Sequence, residues 1–539
     1  MNLNYFNPKR EFLNNSSISI VKIRPNKLFS TIFIALFSII GFSQTTIYVN
    51  SSTGDDTSGD GSSGTPYKTF HKGYTSASSG DTIDLTGTFT WTDADETGDA
   101  TTSGYTLSKN LTIQGQGSGN SIIQAHSSEN SADRRVLSIG NSQTVVVKDL
   151  TIRHGNVTSN GKGGGVSMGY SGNLTMTNCI IEKNHIYATS TDTRYYGGGG
   201  IGVGNISTGS LTLDKCLVQN NSSTGVSGGN GGGMHISMGD TNSGEVTITN
   251  STFSNNTASS GTAISGRSPR IKITNTTISG NTGGTAVSFG SGSSTYKEYA
   301  YLTNVTIAYN SLGTSGYGIA ASMTGGTSYS PNNGVILKNT IIAQNKTTGN
   351  IQRDYTGASL TTNNGYNLVE VQNGSTFTNG VNGCIVGIQS NLNLSSTLAD
   401  NSTLNGTQTL ALSTGSIAIN AGNITVNGTV SVPSEDQRGF ARAGLTEIGS
   451  FEYDGTLGAE VMAPSLDFYA YPNPTKGILY IKGDINKLIN VEIFSTTGQH
   501  IMDIKEDFGR INISNLLPAL YFVKIKTENA TSTFKIMKE

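Results

Sequence analysis

The sequence predicts an all-β chain, a right-handed parallel β-helix solenoid followed by a small C-terminal β-sandwich. Three observations carry that expectation. One pattern recurs seven times between Val145 and Asn345, Asn occupies two fixed phases of it, and no segment sustains helical periodicity.

The fullest copy reads Val246-Thr-Ile248-Thr-Asn250-Ser-Thr-Phe253-Ser-Asn-Asn256. Its large apolar anchor, Phe253, corresponds to Ile152, Ile181, Val218, Ile278, Ile307 and Ile342. Five residues before the anchors stand Val147, Met176, Leu213, Ile248, Ile273, Leu302 and Leu337. Seven before them stand Val145, Leu174, Leu211, Val246, Ile271, Ala300 and Val335. Polar residues mostly fill the gaps, the period-two pattern of a half-buried strand.

Three residues before the anchors come Asp149, Asn178, Lys215, Asn250, Asn275, Asn304 and Asn339. Three after them come Gly155, Asn184, Asn221, Asn256, Asn281, Asn310 and Asn345. Asn tolerates bent backbone, and its amide both donates and accepts. Strands stack about 4.8 Å apart, so amides at one phase can bond to those above and below. The anchors are spaced by 29, 37, 35, 25, 29 and 35 residues, as expected of coils with variable surface loops.

Composition narrows the function. Charged residues are 13% of the chain and the net charge is −2, which excludes a strongly basic nucleic-acid binder. The apolar run at 28–40 follows Lys22, Arg24 and Lys27 and precedes small residues at 41 and 43. It is too short to span a bilayer, so residues 1–43 are expected to be a cleaved signal peptide. No later segment is long and apolar enough to cross a membrane as a helix. Cys179 and Cys216 share one phase of the repeat and are expected to be buried thiols rather than a bridge, because stacked parallel side chains rarely meet the torsion a disulfide needs. Cys384 is left over.

The opening Ile47-Tyr-Val-Asn, Thr65-Pro-Tyr-Lys-Thr-Phe70 and Gly80-Asp-Thr-Ile-Asp-Leu85 resembles the start of secreted β-helices of the pectate-lyase-like superfamily. That resemblance implies a first strand, a short capping helix and a second strand closing one end of the solenoid. The repeats Phe253-Ser-Asn-Asn256 and Gly261-Thr-Ala-Ile264 resemble the FxxN and GGAI motifs of polymorphic outer-membrane proteins. Related Gly motifs precede Val166, Ile201, Met234, Val287 and Ile319. This likeness bears on fold and hardly on activity.

Within 363–453, the stretches Asn364-Gly-Tyr-Asn-Leu368, Gly415–Gly422, Asp436-Gln-Arg-Gly-Phe440 and Glu447–Glu452 resemble the closing, choice-of-anchor-like segment of bacterial β-helix surface proteins. At the C-terminus, Tyr471-Pro472-Asn473-Pro474-Thr-Lys-Gly477 is followed by short alternating strands and Lys535-Ile-Met-Lys538. This region closely resembles the type A sorting domain of the type IX secretion system of Bacteroidetes. The resemblance implies the type IX machinery as a partner, passage across the outer membrane, and an extracellular or cell-surface destination. The expected organisation is solenoid 44–375, closing segment 376–455, linker 456–464 and sorting domain 465–539.

Chemistry is sparse. A lyase on this scaffold needs carboxylates for calcium and a Lys or Arg base, and a hydrolase needs paired carboxylates. Between Val136 and Asn345 the carboxylates are Asp149, Glu182, Asp192, Asp214, Asp240, Glu245 and Glu298, and no two share an outward phase on adjacent coils. Arg270-Ile-Lys272 is read as a core position between surface charges, and Gly165-Val-Ser-Met-Gly169 as an accident of a Gly/Ser-rich chain. No catalytic residue is assigned. Two candidate sites remain. Asp55, Asp56 and Asp60 form a candidate calcium loop. The insertion carrying His185, Tyr187, Asp192, Arg194, Tyr195 and Tyr196, with an outward-pointing His235 one coil later, suits sugar stacking and hydrogen bonding. The expected function is a non-catalytic adhesin or glycan-binding scaffold with an extracellular polysaccharide or cell-surface glycan as partner. The rival is a calcium-dependent polysaccharide lyase or a glycoside hydrolase.

Overall fold

The computed structural model describes residues 44–98, 103–159, 161–189, 196–204, 208–226, 228–238, 244–267, 269–290, 298–323, 334–357, 362–374, 376–403, 406–425, 430–442, 445–453, 469–482, 488–495, 499–527 and 531–539. The expected signal peptide and linker lie outside the described residues.

The seven copies stack as successive coils of a parallel β-helix. Cα partners run Val145, Leu174, Leu211, Val246, Ile271, Ala300 and Val335 along one row. The anchors Ile152, Ile181, Val218, Phe253, Ile278, Ile307 and Ile342 form a second row. No side chain in either row is more than 1% exposed, so both point into the core. A slip of one residue would turn all of them outward, and this is why the apolar alternation fixes the register.

A typical coil has four short strands, and in two coils the first pair runs together as the ten-residue strands Arg270–Ser279 and Tyr299–Ala308. Those such as Asn173–Thr177 form the first face and those such as Ile180–Glu182 the second, joined through a bend. Strands such as His185–Ala188 form a seven-stranded third face, and those such as Ile201–Val203 a ten-stranded fourth face. The Gly motifs lead into the fourth face, where Val166, Ile201, Met234, Ile264, Val287 and Ile319 are consecutive partners.

Both bends use left-handed backbone. Asp149, Asn178, Lys215, Asn250, Asn275, Asn304 and Asn339 have φ between 46 and 59°. At the second bend the left-handed residue stands just before the ladder position, as in Lys183, Asn220 and Asn255. Asn and Asp adopt this conformation more readily than other side chains, which explains their recurrence.

The second bend carries a continuous amide ladder through the interior. The Asn184, Asn221, Asn256, Asn281 and Asn310 carboxamides each donate to the Oδ1 of the next member, at 2.8–3.0 Å, ending on Asn345. Each acceptor oxygen also takes the backbone N–H of the preceding Asn, as in Asn221 to Asn256 at 3.0 Å. At one end Gly155, which has no side chain to offer, donates its N–H to Asn184 Oδ1. The first-bend row is partial, as in Asn178 Nδ2 donating to Asp149 Oδ1 and Asn275 Nδ2 to Asn250 Oδ1.

The start of the solenoid is capped as the opening motif implies. Thr46–Asn50 pairs in parallel with Thr82–Thr90, and the helix Phe70–Ser76 packs beside them. Phe70 lies between Trp91 and Tyr105, at ring-centroid distances of 5.3 and 4.8 Å. The buried Glu96 carboxylate accepts the Phe70 and His71 N–H groups, and burial pushes its pKa up to about 7.

At the other end, Leu368–Val369 and Ile385–Val386 add further strands to the stack. The chain then turns back. The described residues between Leu392 and Phe451 lie across the second face, with a separate apolar core of Leu392, Leu394, Leu410, Leu412, Ile448 and Phe451 against Ala308, Ile341 and Ala343. They attach through Thr252 Oγ1 to Gln408 O, Thr277 Oγ1 to Gln437 Oε1 and Ser450 N to Thr306 Oγ1. The segment therefore covers the flank of the solenoid along several coils.

Cys179, Cys216 and Cys384 are free and buried. The first two thiols donate to carbonyls of their own and the preceding coil, as in Cys216 Sγ to Met176 O.

Residues 469–539 form a separate β-module. A three-stranded sheet contains Tyr469–Tyr471, Ile478–Lys482 and Ile511–Asn512, and a four-stranded sheet contains Leu488–Ser495, His500–Ile504, Ala519–Thr527 and Thr531–Lys538. Pairings between the named strands are antiparallel, with a parallel bridge between Thr475 and Lys538, around a core that includes Leu479, Val491, Ile493, Val523 and Ile536.

Candidate functional site

The third face carries a groove of about 500 Å³. Its lining is Ser223, Thr224, Thr257, Ala258, Ser259, Gly283, Gly284, Thr285, Gly313, Thr314, Ser315 and Gly316, with no charged side chain among them. The groove exists because these coils place small residues where the third face turns toward the fourth. At Gly284 a Cβ would lie 1.8 Å from the Ser259 carbonyl oxygen, so only Gly fits that step.

One tyrosine precedes the lining residues in the chain and another follows them, and neither belongs to the lining itself. Tyr187, 39% exposed, belongs to the strand preceding the groove, and its Cα partner is Thr224. Tyr317 follows Gly316 and donates its N–H to Thr285 Oγ1. The Arg353 guanidinium lies 5.4 Å from the Tyr317 ring centroid, and Asn373 Nδ2 donates to the phenol oxygen. Of the expected ligand residues, His185 also belongs here. Its Nδ1 lies 2.7 Å from Ser222 Oγ, and burial lowers its pKa.

The remaining expected residues fare differently. Tyr196 is half-buried where the chain enters the next Gly motif. His235 was expected to be an exposed outward group, yet it is only 1% exposed. It sits on the outward row of the fourth face but is roofed by the preceding coil, where a Cβ on Gly197 would come within 3.1 Å of the imidazole. Asp192, Arg194 and Tyr195 lie outside the described residues.

The candidate calcium loop does not converge on a point. Asp55 Oδ1 accepts the Thr57 and Ser58 N–H groups, and these bonds lower its pKa. Asp56 accepts from Lys68 N, Thr69 N and Thr69 Oγ1. Asp60 accepts from Ser62 N and Thr65 Oγ1, and its pKa falls to about 2. Asp55 and Asp60 each close their own turn, as short acidic side chains do when N–H groups two or three residues ahead are within reach. Asp56 instead ties the loop to the start of the capping helix at Lys68 and Thr69. Among the described residues the one group spaced to hold a metal is Glu492, His500 and Asp503 in the C-terminal module, of which the last two are exposed.

The outward row of the fourth face runs Ser138, Ser167, Gly202, His235, Ser265, Ser288, Ala320 and Thr356, with no carboxylate. The first face holds a cluster that sequence spacing missed. Lys272 Nζ donates to Glu245 Oε1 at 2.9 Å, and the Tyr299 phenol donates to Glu245 Oε2. Arg270 is the Cα partner of Tyr299, and Lys272 that of Tyr301. Burial, followed by the hydrogen bond to Glu245 and then its charge, pushes the Tyr299 pKa up. Three consecutive coils supply one group each, so no single copy of the repeat signals the cluster.

In the C-terminal module, Asn473 clasps the last strand. Its Nδ2 donates to Lys535 O and its Oδ1 accepts Met537 N, both at 2.8 Å. Thr475 N donates to Met537 O, and Glu539 N to Thr475 O. Tyr471 stacks on Tyr480 with ring centroids 5.6 Å apart, Pro472 and Pro474 flank Asn473, and Gly477 accepts a hydrogen bond from Ile513 N.

Residues 469–539 match the family described as the secretion system C-terminal sorting domain. No curated protein matches the chain. Among solved structures, the chain is similar to the pectate lyase Pel9A, with a TM-score of 0.42 and 15% identity over 77% of this chain and 98% of that one. A rhamnogalacturonan lyase gives a TM-score of 0.39 and 14% identity over 68% of this chain and 95% of the other. The GH136 lacto-N-biosidase from Eubacterium ramulus gives a TM-score of 0.24 and 9% identity over 64% and 68%. Likenesses this distant say nothing of activity, and the fold itself stands on the strand register.

Proposed function

We propose that this exported β-helix protein is a non-catalytic saccharide-binding scaffold that works at the cell surface or beyond it. The observation that supports the reading is the third-face groove, which combines hydroxyl-bearing walls with an exposed tyrosine. Sugars are recognised by aromatic faces together with groups that both donate and accept hydrogen bonds. The groove lining contains no carboxylate, Lys, Arg or His, so it holds no acid or base to move a proton. The sorting module accounts for delivery by the type IX machinery.

The rival reading is a polysaccharide-cleaving enzyme. It is favoured by one observation, the Glu245 carboxylate held between Lys272 and Tyr299. One experiment separates the two. The full chain is incubated with calcium on neutral and acidic polysaccharides, and retention, unsaturated products and new reducing ends are followed. Retention without product is the expected result. Product from any glycan sinks the scaffold reading, and absence of both retention and product sinks both.

A further inference from the structure

We infer that the third-face groove takes a neutral, linear glycan lying parallel to the solenoid axis. This deepens the saccharide-binding reading and rests on it. The outward row of this face runs His185, Ser222, Thr257, Thr282, Ser311 and Lys346 as successive Cα partners. Four hydroxyls therefore follow one another at the strand spacing, about 4.8 Å per coil. A second set, Thr224, Ser259, Thr285, Thr314 and Ser315, lines the groove itself. A ligand crossing the coils at right angles to the strands meets a repeating hydroxyl at every step. A ligand running along one strand meets at most two.

The span from the Tyr187 strand to the coil of Tyr317 is four coil steps, about 20 Å, which suits a short run of sugar rings with one ring near each coil. Tyr187, exposed one coil before the lining, then offers a face for a ring at that end. Charge selects within the sugars. A uronate or sulfate placed among Gly, Ala, Ser and Thr would give up hydration without a counter-charge, whereas a neutral chain loses nothing of that kind. Lys346 stands on the last coil of the outward row and His185, which burial holds toward its neutral form, one coil before the lining, and neither belongs to the lining. Glycines at 283, 284, 313 and 316 keep the floor low, so no side chain blocks an axial path.

The test uses the full chain in affinity electrophoresis and pull-down on three neutral glycans (xylan, glucomannan and a linear β-glucan) and two acidic ones (polygalacturonate and alginate). Retention is expected on at least one neutral glycan and on neither acidic one. Tyr187→Ala is expected to weaken it about tenfold, the loss of one aromatic contact. Thr257→Asp, which places a charge at an exposed mid-groove position, is expected to abolish it. Thr106→Asp, exposed on the fourth face, is the control and should leave retention unchanged. Circular dichroism and Tm confirm that each variant folds. Preference for an acidic glycan overturns the inference. So does neutral-glycan retention that survives both groove variants, although saccharide binding then stands. No retention on any glycan overturns the inference and the scaffold reading together.

Discussion

Asp354 ends the amide ladder that Asn345 would otherwise leave open. Its Oδ1 accepts both the Asn345 backbone N–H and the Asn345 carboxamide at 2.9 Å, as each ladder Asn does for the one before it. Its Oδ2 accepts from Gln352 Nε2 and Val371 N. The residue is fully buried, and burial together with the charge of Glu370 pushes its pKa up to about 7.

A pH dependence follows. The folded pKa of Asp354 lies above the ordinary 3.8, so the folded state binds the proton more tightly than the unfolded chain. Its contribution is fully present below about pH 4 and is lost as pH rises through about 7. Glu96, raised to about 7, and Glu447, raised to about 9 by burial and its neighbour Glu452, act in the same direction. Thermal unfolding should show a higher Tm near pH 5 than near pH 8. Asp354→Asn, which cannot titrate, should reduce that difference, and an unchanged slope would contradict the assignment.

The ladder interior should be intolerant of truncation. Asn256 accepts the Asn221 N–H and carboxamide, and it donates to Asn281 Oδ1 and Val218 O. Asn256→Ala strands these buried groups and should cost about 2–4 kcal/mol in denaturant unfolding. Asn178→Ala should cost under about 1 kcal/mol, because Asn178 is exposed and water can replace its bond to Asp149.

The flanking segment should depend on its buried ion pair. Asp436 and Arg438 are both fully buried and 2.8 Å apart, with the guanidinium 3.7 Å from the Phe451 ring centroid. Asp436→Ala leaves that cation without its partner, at a cost of about 3–5 kcal/mol. Limited proteolysis should then cut first between residues 392 and 451. Resistance equal to the unaltered protein would show that apolar packing alone holds the segment.

Glu245 should set the titration of Tyr299. Glu245→Gln removes a negative charge from beside the phenol, so the Tyr299 pKa should fall toward its ordinary value while remaining above it through burial. Ultraviolet titration of phenolate, with Tyr299→Phe as the reference, reads this directly. The same variant should leave groove binding unaltered, since Glu245 is not among the lining residues.

Calcium should not matter to the N-terminal loop. Asp55 and Asp60 spend their oxygens on separate turns and Asp56 on Lys68 and Thr69, so the three do not share a centre. Added calcium or a chelator should leave Tm unchanged, and a rise of several degrees with calcium would restore the metal-site expectation.

Much of the solenoid was legible because its information is periodic. The anchors Ile152 to Ile342, the Gly motifs and the Asn phases each repeat once per coil, and stacking converts a shared phase into a shared row. Asp354 escaped notice because it follows Asn345 by nine residues, a tight return and not a whole coil. His235, expected to point outward, is covered, and its roof at Gly197 belongs to another coil, so no local pattern announces it.

The sequence by itself determined the strand register, the left-handed bends, the buried amide ladder and the sorting module. The first three follow from local pattern, in which a fixed spacing of apolar residues and Asn leaves one way to stack, and the last from the resemblance carried by Tyr471–Gly477 and the strands after it. The tertiary structure alone decided where the 392–451 segment lies, how Glu245, Lys272 and Tyr299 meet, and that small residues from four coils open a groove. Those outcomes depend on loop lengths and lateral packing. Neither repeats from coil to coil, so no phase in the sequence records them.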